Sequence, residues 1–270
     1  MVERVTTPVA FHAADGCPLH AAVLGSGPPV VLMHGGGPDH ESLIPLARAL
    51  ADAYTVVLPD VRGYGRSVCV DPTRHTWNTY ADDVVALLDH LDLATAVVGG
   101  TGLGSSITLR TCARHPSRVR AALLLSVENV EDDKTKAAEI AYLDAFAARV
   151  RLSGIEAAWA SLRPHLAPVI TTLVTEAIPR STPASIAAAA AIGHDRLLTS
   201  IDELAAVDTP ALIVPGIDHR HPPSVARAMA AALPRSTLAD ALTTTVRTAA
   251  DLATAFAPPI KAFLAEVPTP

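Results

Sequence analysis

Two short segments hold most of the side chains able to do chemistry. Asp218-His219-Arg220-His221 places a carboxylate and two imidazoles within four residues. These groups exchange protons near neutral pH when one of them orients another. On that reading Asp218 orients, His221 transfers the proton and His219 lies beside the substrate; the alternative is a polar surface loop without a role. His34-Gly35-Gly36-Gly37 follows the apolar run Val30 to Met33, and Gly36 and Gly37 can turn backbone N–H groups toward a negative charge. Asp39 and His40 come next and are candidates for the same wall, although Asp39 serves equally well as a helix cap. Glu128 follows another apolar run and would act as a general acid or base if burial raised its pKa; the alternative is a solvated loop carboxylate. His75, His165 and His194 stand alone, and the spacing of the histidines suggests no metal site.

The elements that must position these residues are legible as a pattern. Short β-type segments alternate with longer helical ones from the start of the chain, the order that builds a parallel sheet covered by helices on both faces. Val30 to Met33, Tyr54 to Leu58, Ala96 to Gly100, Ala121 to Leu125 and Ala211 to Val214 read as buried strands, with a weaker one near Thr237 to Leu242. Between them Leu43, Leu46, Ala47 and Leu50 share one helical face. Thr79 to Leu91 forms a helix with Asn78 or Thr79 as its N-cap, and Ser105 to His115 and Pro223 to Leu233 form two more. From about Glu128 to Ile201 the strands stop and Ala-rich helical sequence takes over. The expected organisation is a core of residues 1–127 and 202–270 with a helical cap insertion at 128–201.

Composition limits the partners. A chain of 270 residues, half of them hydrophobic and 18% charged, has the material for one large core. With a net charge of -6 and no basic run, nucleic acid is not expected, because neutralising phosphates takes clustered Lys and Arg. Three cysteines at no metal-like spacing suit a reducing compartment. The N-terminus has no secretory pattern and no apolar run reaches the roughly 18 residues of a membrane span, so a cytoplasmic protein without membrane contact is expected. A small-molecule substrate is the expected partner, with a homo-oligomer open, and no cofactor or metal is called for.

Three segments together resemble the α/β-hydrolase superfamily over nearly all of the chain outside the insertion. Val30-Val-Leu-Met-His-Gly-Gly-Gly-Pro38 is similar to its oxyanion loop, and Asp60-Val-Arg-Gly-Tyr-Gly-Arg-Ser67 to its Asp-x-Arg-Gly-x-Gly-x-Ser loop. Val97-Val-Gly-Gly-Thr-Gly-Leu-Gly-Ser-Ser106 is similar to its nucleophile elbow. The resemblance implies an α/β-hydrolase fold, a mostly parallel sheet with helices on both faces and a helical cap. An elbow needs Gly-x-nucleophile-x-Gly, which Gly100-Thr101-Gly102-Leu103-Gly104 fits with Gly102 at its centre and Thr101 and Leu103 beside the substrate. The other register would put Thr101 at the nucleophile position. Glycine cannot attack a carbonyl. The superfamily's histidine after the last strand would fall near Thr245 or Val246, yet no histidine follows His221. The acid of the superfamily aligns with Asp218, and the resemblance makes Asp60 and Arg62 structural.

The leading expectation is therefore a diverged enzyme with a degenerate triad, acting without a serine nucleophile on a small, largely apolar carbonyl compound. Its chemistry would be acid–base or proximity catalysis of a cyclisation, elimination or isomerisation, with the insertion excluding water. One alternative is an esterase- or lactonase-like hydrolase, either with Gly102 replacing the Ser of an ordinary Gly-Thr-Ser-Leu-Gly elbow or with water activated by His221 and Asp218. Another is a binder without catalysis.

Overall fold

Apolar runs become strands here because both of their faces are covered. The computed structural model describes residues 6–128, 133–218, 220–240 and 245–268. Among these, eight strands form one sheet: β1 (Thr7–His12), β2 (Pro18–Leu24), β3 (Pro29–Met33), β4 (Thr55–Pro59), β5 (Ala96–Thr101), β6 (Val119–Leu125), β7 (Ala211–Val214) and β8 (Ser236–Leu238). Their order is β1-β2-β4-β3-β5-β6-β7-β8. β3 to β8 run parallel, and β2 alone runs against its neighbours β1 and β4.

Alternate residues of each strand feed two cores. Val30 and Leu32 of β3, Val56 and Leu58 of β4 and Val97 of β5 pack on one face. Val31, Met33, Val57 and Val98 pack on the other. The first face is covered by α1 (Ile44–Leu50) and α8 (Ala249–Glu266), the second by α2 (Trp77–His90), α3 (Leu103–Arg114) and α7 (Pro223–Ala232). This two-sided burial is why the parallel strands read as continuous apolar runs rather than alternating ones.

Three sequence expectations need correction. The chain does not alternate strand and helix from its start: β1 and β2 form an antiparallel hairpin whose turn is closed by the Ala13 N–H on the Cys17 carbonyl at 2.9 Å. Helix α2 begins earlier than expected, because Thr76 rather than Asn78 or Thr79 is the cap, its hydroxyl accepting the Thr79 N–H at 3.1 Å. That start brings Trp77 into the first buried turn. The last strand is shorter than Thr237 to Leu242 and ends at Leu238; residues 241 and 242 lie outside the described residues.

Between β6 and β7 the chain inserts α4 (Asp133–Ala160, broken at Gly154), α5 (Pro168–Ala177) and α6 (Pro183–Ala189). These helices have a small core of their own, with Val150, Ile155, Ala158 and Ile186, and are tied to the sheet's edge by polar contacts. Arg180 donates to the buried Asp39 carboxylate at 2.9 Å, and the buried Ser185 hydroxyl donates to the Gly63 carbonyl at 2.9 Å. The insertion thereby roofs the carboxyl ends of the central strands, the edge where open α/β sheets bind ligands.

Candidate active site

The turn after β5 is shaped by contact rather than by a side chain. A Cβ on Gly104 would lie 2.4 Å from the Met33 carbonyl oxygen, and one on Gly100 2.5 Å from the same atom. The first turn of α3 can approach the end of β3 only because both positions are glycine. Between them Gly102 has φ +50 and ψ -114, a conformation that L side chains rarely adopt and that costs energy where they do. It lifts position 102 out of the sheet. A Cβ built there would stand 3.1 Å from His221 Nε2, 3.8 Å from Glu128 Oε1 and 3.9 Å from Gly35 Cα. The sequence lacks a histidine after β8, and the structure brings His221 to this place from the loop after β7.

That loop is set by one carboxylate oxygen. Asp218 Oδ1 accepts the N–H of Arg220 at 2.9 Å and of His221 at 3.0 Å, and it pairs with His221 Nδ1 at 2.8 Å. Gly216 admits the fold-back, since a Cβ there would fall 2.3 Å from His221 Cβ. With Nδ1 held by Asp218, His221 Nε2 faces position 102 and lies 3.8 Å from Glu128 Oε1. Burial opposes the imidazolium, but Asp218 and Glu128 outweigh it and push the His221 pKa up to about 9. Burial likewise opposes the Asp218 carboxylate, and the bonds from His221 and the turn hold its pKa at about 2.

Glu128 was expected to titrate upward if buried, and here the shift runs the other way. Burial does push it up, but the imidazole of His221 and the charge of Arg220 hold it below the usual carboxylate range, with the Ser106 hydroxyl donating to Oε2 at 3.2 Å. A carboxylate held that low stabilises a neighbouring cation and is a weak proton acceptor.

A cavity of about 160 Å³ opens over this group. Gly36, Gly37, Thr101, Gly102, Glu128, Asp218 and His221 all contribute to its wall, and Phe146, Trp159, Leu173 and Ile186 of the insertion make its roof apolar. Gly36, Gly37 and Gly102, the last at the N-terminus of α3, line the same cavity as His221, and backbone N–H groups of such a loop and helix start suit a carbonyl oxygen that gains charge. Four expected residues stand differently. Leu103 lines a second, adjoining cavity of about 530 Å³. Asp39 caps the 3₁₀ turn after β3 and binds Arg180, and His40 Nδ1 pairs with Asp60 at 2.8 Å; both are engaged outside the cavity wall. His219 lies outside the described residues. The aromatic roof and Tyr64, which lines both cavities, were not singled out from sequence, because no spacing relates them to the loops they face.

Among the described residues no helix is long and apolar enough to cross a membrane, and no group of three or more His, Cys, Asp or Glu is placed to hold a metal ion. Comparison with known proteins agrees with the architecture. A family profile described as alpha/beta hydrolase fold matches residues 28–243. An uncharacterized hydrolase, YraK of Bacillus subtilis, is 38% identical over 109 residues. That match covers 40% of this chain and 40% of the relative, so the chain spans well under half the length of the relative it resembles. The structure of a thermophilic esterase from Thermogutta terrifontis superimposes with a TM-score of 0.80 at 25% identity, over 97% of this chain and 99% of that one. An enol-lactonase from Burkholderia xenovorans LB400 superimposes at 0.79 and 22%, over 96% and 100%; at that identity the likeness is one of fold.

Proposed function

The chain belongs to the α/β hydrolase fold family, and from that premise we propose that it hydrolyses a small, largely apolar ester or lactone with His221 and Asp218 activating water. The observation that carries this reading is the 3.1 Å between His221 Nε2 and the place of a side chain at position 102. The imidazole faces the point from which a nucleophile attacks, whichever oxygen is used. The esterase and the enol-lactonase of similar fold favour hydrolysis over the other carbonyl chemistries.

In this mechanism neutral His221 takes a proton from water through Nε2 while Asp218 holds Nδ1–H and the correct tautomer. The water oxygen adds to the substrate carbonyl. The backbone N–H groups at Gly36 and at the start of α3 hold the oxyanion, and the imidazolium then protonates the departing alkoxide. Glu128, 3.8 Å from Nε2, stabilises that imidazolium. Because the His221 pKa is about 9, the base form is the minor one at neutral pH, and kcat/KM rises as pH approaches that value.

A pH-stat assay over short-chain esters and γ- and δ-lactones tests this. His221→Ala should lower kcat/KM by roughly 10²- to 10⁴-fold, the usual worth of general acid–base catalysis. Wild-type rates left within about threefold would remove the dyad from the mechanism. The same raised pKa favours one second reading. An imidazolium at neutral pH is an acid poised to protonate an enolate or a leaving group, as in an elimination or isomerisation. Product that carries no ¹⁸O from labelled water would select it.

A further inference from the structure

We propose that the hydroxyl of Tyr64 is a side-chain donor to the substrate oxygen that becomes negative, giving the site affinity for phenolate- and enolate-like oxyanions beyond what its backbone N–H groups supply. The proposal rests on the reading above in taking the cavity beside His221 as the place of reaction. It is carried by the surroundings of one tyrosine in a segment otherwise given over to structural work.

Tyr64 sits in a tight turn after β4, its N–H on the Val61 carbonyl at 2.9 Å and its carbonyl accepting the Ser67 N–H at 3.0 Å. The ring stands edge-on to His34, with centroids 5.5 Å apart at 73°. His34 is itself locked: Nδ1 donates to the Gly35 carbonyl at 2.8 Å and Nε2 accepts the Val61 N–H at 3.0 Å. Two constraints therefore aim the phenol, and they aim it at the oxyanion loop. A Cβ on Gly36 would lie 3.8 Å from the Tyr64 hydroxyl.

That hydroxyl makes no hydrogen bond among the described residues, whereas the hydroxyl of the buried Tyr80 pairs with His75 Nδ1 at 2.8 Å. Sheltered phenols normally find a partner. Tyr64, Gly36 and Glu128 line both the smaller cavity and the adjoining larger one, so the open donor stands where the two meet. Burial, with the charge of Glu128, pushes the phenol's pKa up. It stays an O–H donor over the working range. A ligand oxygen beside Gly36 completes the hydrogen bond that the fold leaves open, and bonds of this kind strengthen as the oxygen becomes charged.

The test compares the full chain with Tyr64→Phe, which keeps the ring against His34. Equilibrium binding of p-nitrophenolate is measured above the phenol's own pKa, alongside nitrobenzene, which has the same shape without the oxygen. The wild type should bind p-nitrophenolate at least about 10-fold more tightly than Tyr64→Phe. Its bound phenolate should absorb at shorter wavelength, and nitrobenzene should bind both proteins within about twofold. Phenolate affinities within about twofold of each other would overturn the proposal. So would an equal loss of both ligands in the variant, or wild type that binds no p-nitrophenolate at millimolar concentration. Failure of the hydrolytic reading is seen separately: a protein that binds phenolate through Tyr64 yet turns over no ester or lactone keeps this donor and loses that reaction.

Discussion

Gly102→Ser is the perturbation that separates an assembled site from an abandoned one. An ideal Cβ at position 102 lies 3.1 Å from His221 Nε2, so a serine hydroxyl turned toward the ring comes within hydrogen-bond distance once the ring yields by a few tenths of an ångström. At φ +50 any L residue carries strain, of order 1–3 kcal/mol. The variant should therefore be less stable by about that amount, with an unchanged circular dichroism spectrum. A hydroxyl with a positioned base gains roughly 10²- to 10⁴-fold over one without. The variant should accordingly hydrolyse p-nitrophenyl acetate at least about 10²-fold faster than the parent, and a fluorophosphonate should label residue 102. The parent has no hydroxyl there and stays unlabelled. Adding His221→Ala should abolish the gain. A folded Gly102→Ser variant with turnover within about threefold of the parent and no label would refute the assignment of His221 as a base facing position 102.

Two further outcomes follow from the same ion group. The folded His221 pKa of about 9 lies above the ordinary imidazole value, so its stabilisation is complete below about pH 6.5 and is lost as pH rises through 9. The unfolding free energy of wild type relative to His221→Gln should thus fall by up to about 3 kcal/mol between about pH 6 and pH 10 in urea titrations; a difference that does not move with pH would contradict the pairing. Asp218→Asn keeps an oxygen for the turn while removing the charge, so the midpoint of the pH–rate profile should fall from about 9 toward the ordinary imidazole value and the alkaline plateau should drop. A midpoint that stays in place would assign the shift to Glu128 alone.

Much of the fold was legible because a doubly covered sheet writes its strands as unbroken apolar runs, and β3, β5 and β7 were read to within a residue or so of their observed ends. The β1–β2 hairpin was not, although Asp15-Gly16 offers its turn, because β1 is largely exposed and neither strand is an unbroken apolar run. At the site, Gly102 could be placed from the spacing of its flanking glycines, which the contacts with Met33 enforce. The partnership of Asp218 and His221 was suggested by their separation of three residues. What sequence could not supply was direction. Asp39 and His40 adjoin the oxyanion loop in sequence, yet Arg180 and Asp60 turn them to other work. Tyr64 and Trp159 reach the cavity from segments whose pattern speaks only of packing.

The short spacing of the dyad has a physical consequence for how the site holds together. An acid and a base drawn from separate loops depend on the packing of two connections, whereas here Asp218 Oδ1 closes the turn and binds the ring in one set of three contacts of 2.8–3.0 Å. The orientation of Nε2 is then fixed by β7 and by the room left at Gly216, without help from the chain after β8. The backbone N–H groups proposed as oxyanion donors follow the ends of β3 and β5, which pair directly with each other, and β5 connects through β6 to β7. The proposed base, the Gly35–Gly37 loop and the turn at Gly102 are thereby referred to four adjacent parallel strands, the most deeply buried part of the described residues. Such a frame keeps its geometry whether or not position 102 bears a side chain, because the elbow is held by backbone contacts of Gly100 and Gly104 with Met33 rather than by any group that the nucleophile would contribute.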